Sequence, residues 1–352
     1  MRIQGSDAPI TAKEIGRRLG LSQPTVSRIL SGASGYRVSP ETRRRVLDTA
    51  AQMGYRPNAL ARSLRQGRTN IVGFYTGYGY LDARNPFLAE LIGGLQRAAD
   101  PRQLDILLHG VYRGASTDDI YGELVDGRVD GLFLHTHAAD PLAARLRDSA
   151  LPVVALADAI PGIPSIIADD ASGTRMLLDY LWDKGHQGIG YIRPSQRFDS
   201  VERRIETFRS WTAERGITAD HSPVYEVEFE FSTTALEAML SSSNPPTAVC
   251  CWNDMTAFDL LYQCRKRGIA VPDDLAIVGF DGLLADPRLC PRALVTVGVS
   301  WTDIADRAMD LLMQQMRGSQ TDSNDVKEGY SAADGGPLLT RLPVSLAAGD
   351  TA

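Results

Sequence analysis

The stretch TAKEIGRRLGLSQPTVSRIL, Thr11 to Leu30, reads as two short helices joined by a tight turn. Thr11 with Glu14 three residues on has the pattern of a capping box, and Ala12, Ile15 and Leu19 recur at helical spacing on one face. Gly20 ends the first helix because glycine takes the left-handed conformation that a tight turn requires. Leu21 fills the angle between the helices, and Ser22 is placed to cap a second helix whose inward residues are Val26, Ile29 and Leu30. The reading is a helix-turn-helix.

With those apolar residues on one stripe, Gln23, Pro24, Thr25, Ser27 and Arg28 point elsewhere. Pro24 is tolerated in the first turn, where the backbone N–H groups have no intrahelical partner. Such a helix tip suits a DNA major groove, and Arg28 could make a bidentate contact to a guanine edge. Taken alone, Arg28 fits a solvated polar face equally well. Ser39-Pro40 opens a third helix with Val46, Leu47, Ala50 and Met53 as its expected buried side, and Gly54 stops it. Arg43, Arg44 and Arg45 form a charge run that reads either as a solvated face or as phosphate contacts. Asn58 could cap a further two-turn helix with an apolar edge of Leu60, Ala61 and Leu64, too short to stand alone in water. Leu64 reads equally as a minor-groove wedge or as a residue packed on the chain's own body.

Charge is unevenly spread. Residues 1–68 hold 13 Lys/Arg against 4 Asp/Glu, net +9, and the other 284 residues hold 24 against 39, net −15. A cationic head on an anionic body fits a polyanion at the head alone. The chain shows no secretory leader pattern and no apolar run long enough to span a membrane, so a cytoplasmic protein is expected. Cys250, Cys251, Cys264 and Cys290 lack metal-ligand spacing, and buried free thiols are expected.

From Ile71 the pattern changes. Short apolar runs at 71–76, 104–109, 130–135, 152–158, 165–169, 188–192, 247–252, 275–281 and 294–299 read as strands. Amphipathic segments at 86–99, 170–184, 201–215, 254–267 and 302–317 read as helices. Continuous apolar strands alternating with helices mean parallel sheets covered on both faces, and the number of strands calls for two doubly wound lobes. Residues 318–336 are polar and turn-rich. Open α/β sheets bind ligands beyond the carboxyl ends of their strands. There lie Tyr75 and Tyr78, His135 and His137, Asp158, Asp169 and Asp170, then Trp252, Asn253 and Asp254, then Asp281. Carboxylates and amides can bridge neighbouring hydroxyls while aromatic faces meet the apolar side of a ring, which suits a sugar or polyol. Capping of the next helix explains Asp170 and Asp254 as well.

The ordered set AKEIGRRLGLSQPTVSRIL, VSPETRRRVLDTAAQMGYRPNALARSLR, NIVGF, NPFLAELIGGL, VDGLFL, LWDKGHQGIGYI, Arg204 to Phe208, WNDMTAFDLLY, GIAVPDDLAIVGFDG and LPVSL resembles the lactose repressor and galactose repressor family of bacterial regulators. The resemblance covers nearly the whole chain. It implies an all-α helix-turn-helix domain at 1–56 and a hinge helix with linker at 57–69. It further implies a core at 70–346 of two doubly wound parallel-sheet lobes like periplasmic sugar-binding proteins, and a tail at 347–352. The N-lobe would take about 70–167 and 299–330, the C-lobe about 168–298 and 331–346, with crossovers near 168, 298 and 325–335. It implies a homodimer on a near-palindromic operator. The residues expected at DNA are Thr11, Ser22, Gln23, Pro24, Thr25, Ser27, Arg28, Ser31, Tyr55, Asn58, Ala61 and Leu64, the last at the position of an intercalating hinge leucine. Those expected at a small-molecule effector, a carbohydrate or derivative, are Tyr75, Tyr78, Phe87, His135, Asp158, Arg204, Phe231, Trp252, Asn253, Asp254 and Asp281.

Two other classes compete. A solute-binding protein for transport would share the core, but the +9 head and the missing export signal oppose it. An enzyme on the doubly wound lobes finds no GxGxxG after the first strand, no phosphate loop and no nucleophile-base or metal cluster in fitting order. His135 and His137 lack a third ligand. No catalytic residue, metal or cofactor is therefore expected.

Overall fold

The computed structural model describes residues 10–31, 37–56, 63, 67–79, 85–110, 114–228, 231–283, 293–318 and 339–352. Its contacts divide the chain between Thr69 and Asn70 into two units. In the first, α1 (Ala12–Leu19), α2 (Gln23–Leu30) and α3 (Pro40–Gln52) enclose a small core of Ile15, Val26, Ile29, Val46 and Ala50. The Thr11 hydroxyl accepts from the Glu14 N–H at 3.3 Å, and Gly20 is left-handed at φ 67°. Two details differ from expectation. Glu14 does not complete the capping box but stands 3.9 Å from Arg17. Leu47 is 46% exposed, because Val46 and Ala50 alone on α3 lie deep in so small a core. Gly16, unremarked in the pattern, is also required: a Cβ there would meet the Leu21 carbonyl oxygen at 2.6 Å, blocking the turn.

The second unit contains two six-stranded sheets. The first is built from β1 (Ile71–Thr76), α4 (Pro86–Ala99), β2 (Asp105–Leu108), α5 (Thr117–Leu124), β3 (Gly131–His135), α6 (Pro141–Arg147), β4 (Val153–Leu156) and β5 (Ser165–Ala168). The second uses α7 (Asp170–Asp183), β6 (Ile189–Pro194), α8 (Asp199–Glu214), β7 (Val224–Val227), α9 (Thr233–Ser241), β8 (Ala248–Cys251), α10 (Asp254–Arg267), β9 (Ala276–Asp281) and β10 (Val295–Gly298). The chain then returns to the first lobe through α11 (Trp301–Gly318) and β11 (Leu339–Leu342) before ending in the second with β12 (Ser345–Ala347). The order is β11-β5-β4-β3-β1-β2 in one sheet and β12-β10-β9-β8-β6-β7 in the other. Among the described strands only the β10–β12 pair is antiparallel.

Each sheet is buried on both faces, which explains strands without polar alternation. Phe74, Phe133, Leu91 and Leu312 pack on one face of the first sheet; Leu132, Leu134 and Leu146 pack on the other. The second sheet has Phe208, Trp211 and Phe280 on one side and Leu236, Leu260 and Ile277 on the other. Cys250, Cys251 and Cys264 are buried free thiols in this lobe. Cys290 lies outside the described residues.

Two expected boundaries are corrected. Leu339 to Leu342 pairs in parallel with Ser165 to Ala168, so the chain is still in the first lobe at 342. The last crossing therefore falls between Leu342 and Ser345, inside LPVSL, rather than at 325–335. Nor are residues 347–352 a loose tail. Thr351 is fully buried, its carbonyl accepting from Ile277 N–H at 2.8 Å and its hydroxyl from Val295 N–H at 2.9 Å. This closing segment satisfies backbone groups that would otherwise be left bare beside the sheet.

Candidate functional site

The carboxyl ends of both sheets face a shared cavity of about 480 Å³. From the first lobe come Thr76, Tyr78, Asn85, Phe87, His135, Asp158 and Trp301; from the second, Asp170, Phe198, Ser200, Arg204, Trp252, Asn253 and Asp281. Parallel β1 and β3 are in register with Thr76 beside His135, so their exits open together. Of the sequence-derived residues, Tyr78, Phe87, His135, Asp158, Arg204, Trp252, Asn253 and Asp281 line the cavity.

Three do not. Tyr75 follows the two-residue strand period onto the other face of the sheet, against Leu124 and Leu132. Phe231 is 68% exposed and is absent from the lining. Asp254 is wholly buried beneath the wall, accepting from the Thr296 hydroxyl at 2.5 Å and the Leu283 N–H at 2.7 Å. The cap readings of Asp170 and Asp254 are each one residue late. Asp169 and Asn253 cap α7 and α10, which leaves the next carboxylate free to turn inward.

Arg204 sits at the centre of the second-lobe wall, buried, with its guanidinium carbon 3.5 Å from the Phe280 ring centroid. Its Nε donates to Asp170 Oδ1 at 2.7 Å and its Nη1 to the Trp252 carbonyl at 2.5 Å, while Nη2 lies 3.8 Å from Asp281 Oδ1. Burial opposes the charge, but Asp170 and Asp281 outweigh it and raise the Arg204 pKa. Arg203 donates to the other Asp170 oxygen at 2.9 and 2.7 Å and also bonds Asp199. Asp281 has φ 120°, strained backbone for a residue with a Cβ, and Gly282 follows at φ 73°. A Cβ on Gly282 would meet Gly298 Cα at 2.6 Å.

Aromatic rings line the remainder. Phe198 stands between Tyr78 (4.5 Å) and Trp252 (5.2 Å, stacked at 21°), and Phe87 meets Trp301 edge-on at 4.7 Å. Within the first lobe, Tyr78 Oη donates to Asp158 Oδ2 at 2.5 Å, and two further bonds cross the cleft. Asp158 Oδ1 accepts from the Ser200 N–H at 2.8 Å, and Asp199 in return accepts from the Ala159 N–H at 3.1 Å. Burial raises the Asp158 carboxyl, against the pull of those two donors. Burial holds His135 neutral, pushing its pKa down to about 3.

Sequence reasoning missed Asp170 as the ion-pair hub, and Phe198 and Ser200 altogether. The adjacent arginines 203 and 204 were a signal for a buried carboxylate partner. Phe198 lies outside any apolar run and carries no such mark. Among the described residues no group of His, Cys, Asp and Glu fits a metal. None of the described helices is long and apolar enough to cross a membrane.

In the first unit, Gln23, Pro24 and Arg28 are exposed on α2. Ser22 caps that helix through the Thr25 N–H at 3.3 Å, with Thr25 and Ser27 half-buried. Thr11 caps α1, the Ser31 hydroxyl donates to the Arg28 carbonyl at 3.1 Å, and Tyr55 packs on the small core. Asn58, Ala61 and Leu64 lie outside the described residues.

Residues 11–58 match the family described as bacterial regulatory proteins, lacI family, and residues 178–333 match the periplasmic binding protein-like domain. The chain belongs to the lacI family. Among relatives of this family, catabolite control protein A of Priestia megaterium is 28% identical over 325 residues, 90% of this chain and 96% of that one. The transcriptional repressor CytR of Escherichia coli is 26% identical over 330 residues, 92% and 94% of the two chains. The fold is that of the lac repressor dimer solved with operator and the anti-inducer ONPF, with TM-score 0.78 and 23% identity over 97% of this chain and 99% of that one. These relatives are transcriptional regulators, and the chain is a regulator of that family.

Proposed function

We propose that the chain represses transcription as a homodimer on a near-palindromic operator, with affinity set by a small polyhydroxylated effector in the cavity between the core lobes. The observation that carries this reading is the cavity itself, walled by both lobes and crossed by the Asp158 and Asp199 hydrogen bonds. A ligand there acts by binding the open and closed arrangements unequally. Coupling of about 1–3 kcal/mol would change operator affinity roughly 5- to 150-fold.

Gln23, Pro24 and Arg28 are assigned to base edges, with Thr11, Ser22, Thr25, Ser27, Ser31 and Tyr55 supporting or touching the backbone. Asn58, Ala61 and Leu64 are assigned to a hinge segment, Leu64 as the wedge. The effector wall is assigned to the eight lining residues named above. Their polar groups are tied to one another as supports rather than as nucleophile and base, which favours binding over catalysis, and the reading needs no cofactor. Val224, Leu240 and Tyr262 are exposed apolar side chains on the neighbouring elements β7, α9 and α10, and this side of the second lobe is assigned to a second copy. An operator-binding protein of this kind works in the cytoplasm.

The test is retardation of palindromic duplexes from the chain's own locus across 50–200 mM salt, with equilibrium sedimentation. Affinity should fall steeply with salt and exceed that for random duplex. Equal binding to random duplex, or a monomer at micromolar concentration, refutes the reading.

A further inference from the structure

Carboxylates outnumber guanidiniums around the cavity. Asp158, Asp170 and Asp281 line it, and Arg204 is the one guanidinium among the described lining residues. Just behind, Arg203 is held by Asp170 and Asp199. His135 is neutral there. Among the described residues the local balance is four acids against two bases.

Arg204 also has its donors turned inward. Nε goes to Asp170, Nη1 to the Trp252 carbonyl and Nη2 toward Asp281, and Phe280 covers one face of the guanidinium. A ligand phosphate or carboxylate reaching for Arg204 meets a guanidinium whose charge is already shared with the buried Asp170 and Asp281, and stands beside both carboxylates. The remaining donors are uncharged. Asn253 uses Oδ1 to cap α10 through the Thr256 N–H (2.8 Å), and Asn85 uses Oδ1 toward the Leu88 N–H (3.3 Å). Each keeps its amide nitrogen for a hydroxyl or carbonyl oxygen. The stacked Phe198 and Trp252 rings offer a face for the apolar side of a ring.

Resting on the reading of this cavity as an effector site, we propose that it selects uncharged or amine-bearing polyhydroxylated rings against anionic ones. Arg204 is then a positioning residue, holding Asp281 and the Trp252 carbonyl, and not an anion receptor.

The full chain is titrated calorimetrically, and by the fluorescence of Trp252 and Trp301, with matched sets. One set is glucose, glucosamine, glucuronate and glucose 6-phosphate; the other is the corresponding galactose series. A neutral or amine member should bind about tenfold more tightly than its anionic counterparts, as one unfavourable partly screened charge implies. Asp281→Asn, checked for an unchanged melting transition, should narrow that ratio because it removes one negative charge; a purely structural role would weaken all members alike. A uronate or phosphate binding as tightly as its parent overturns the proposal. So does silence from every member, and operator retardation then separates the two readings: retained retardation means that the ligand class fails while the regulator stands.

Discussion

Removing the Asp158 carboxylate should loosen lobe closure by about fivefold. The α8 helix begins at Asp199, and the residue before it, Phe198, has no side chain that can accept a first-turn N–H. The missing cap comes from the other lobe, as the Ser200 N–H donates to Asp158 at 2.8 Å. In Asp158→Ala that cap is lost, worth typically about 1 kcal/mol. The Tyr78 hydroxyl bond is lost as well, but it lies within the first lobe and does not bear on closure. A net effect of about 1 kcal/mol remains, roughly fivefold in the ratio of closed to open core. Amide hydrogen exchange reads it directly: Ser200 and Ala159 should lose protection while Trp211, deep in the same helix, keeps it. The raised Asp158 pKa also gives folding a proton dependence: the folded chain holds this proton more tightly than the unfolded one, so the contribution is lost as pH rises through the window between the ordinary carboxylate value and the raised one, and the variant should lose that slope. Ser200 protection unchanged in Asp158→Ala refutes the idea that closure caps α8.

Three other outcomes follow from the geometry. The unfolded chain protonates His135 near its ordinary value of 6.5 and the folded chain only near 3, so this residue's contribution is complete above 6.5 and is lost as pH falls. By pH 5 the loss is about 2 kcal/mol, and His135→Gln should flatten the wild-type decline in urea unfolding measured between pH 7.5 and 5. A Cβ on Gly279 would stand 2.2 Å from Asp254 Oδ1, so Gly279→Ala should destabilise the core by about 1–3 kcal/mol in thermal unfolding. Asp254→Ala removes that obstruction, and the double variant should lose less than the sum; strict additivity would show that the two do not touch. Arg28→Ala should relax specificity at one base pair per half-site by about 1–3 kcal/mol in competition binding, whereas uniform weakening over all base changes would place Arg28 on phosphate.

Sequence alone determined the element pattern. Continuous apolar runs such as Ile71 to Thr76 and Ala276 to Asp281 became doubly covered parallel strands, because burial on both faces leaves no place for polar alternation, while the run at 104–109 became the half-exposed edge strand β2. Six of the eight cavity residues were legible for a related reason: in such a sheet, polar or aromatic residues just past a strand's carboxyl end stand at the ligand mouth, whereas Phe87 and Arg204, on helices, came from the family resemblance alone. Long-range pairing was not legible. Asp169 and Asp170 look alike along the chain, yet one caps a helix and the next anchors two arginines, a choice made by a helix more than thirty residues away. The last crossing at LPVSL and the burial of Thr351 likewise depend on which sheet edge remained open when the chain returned. Local periodicity records how a segment must be covered. Only the folded core decides which distant partner covers it, because buried charges and backbone groups are satisfied by proximity in space and not along the chain.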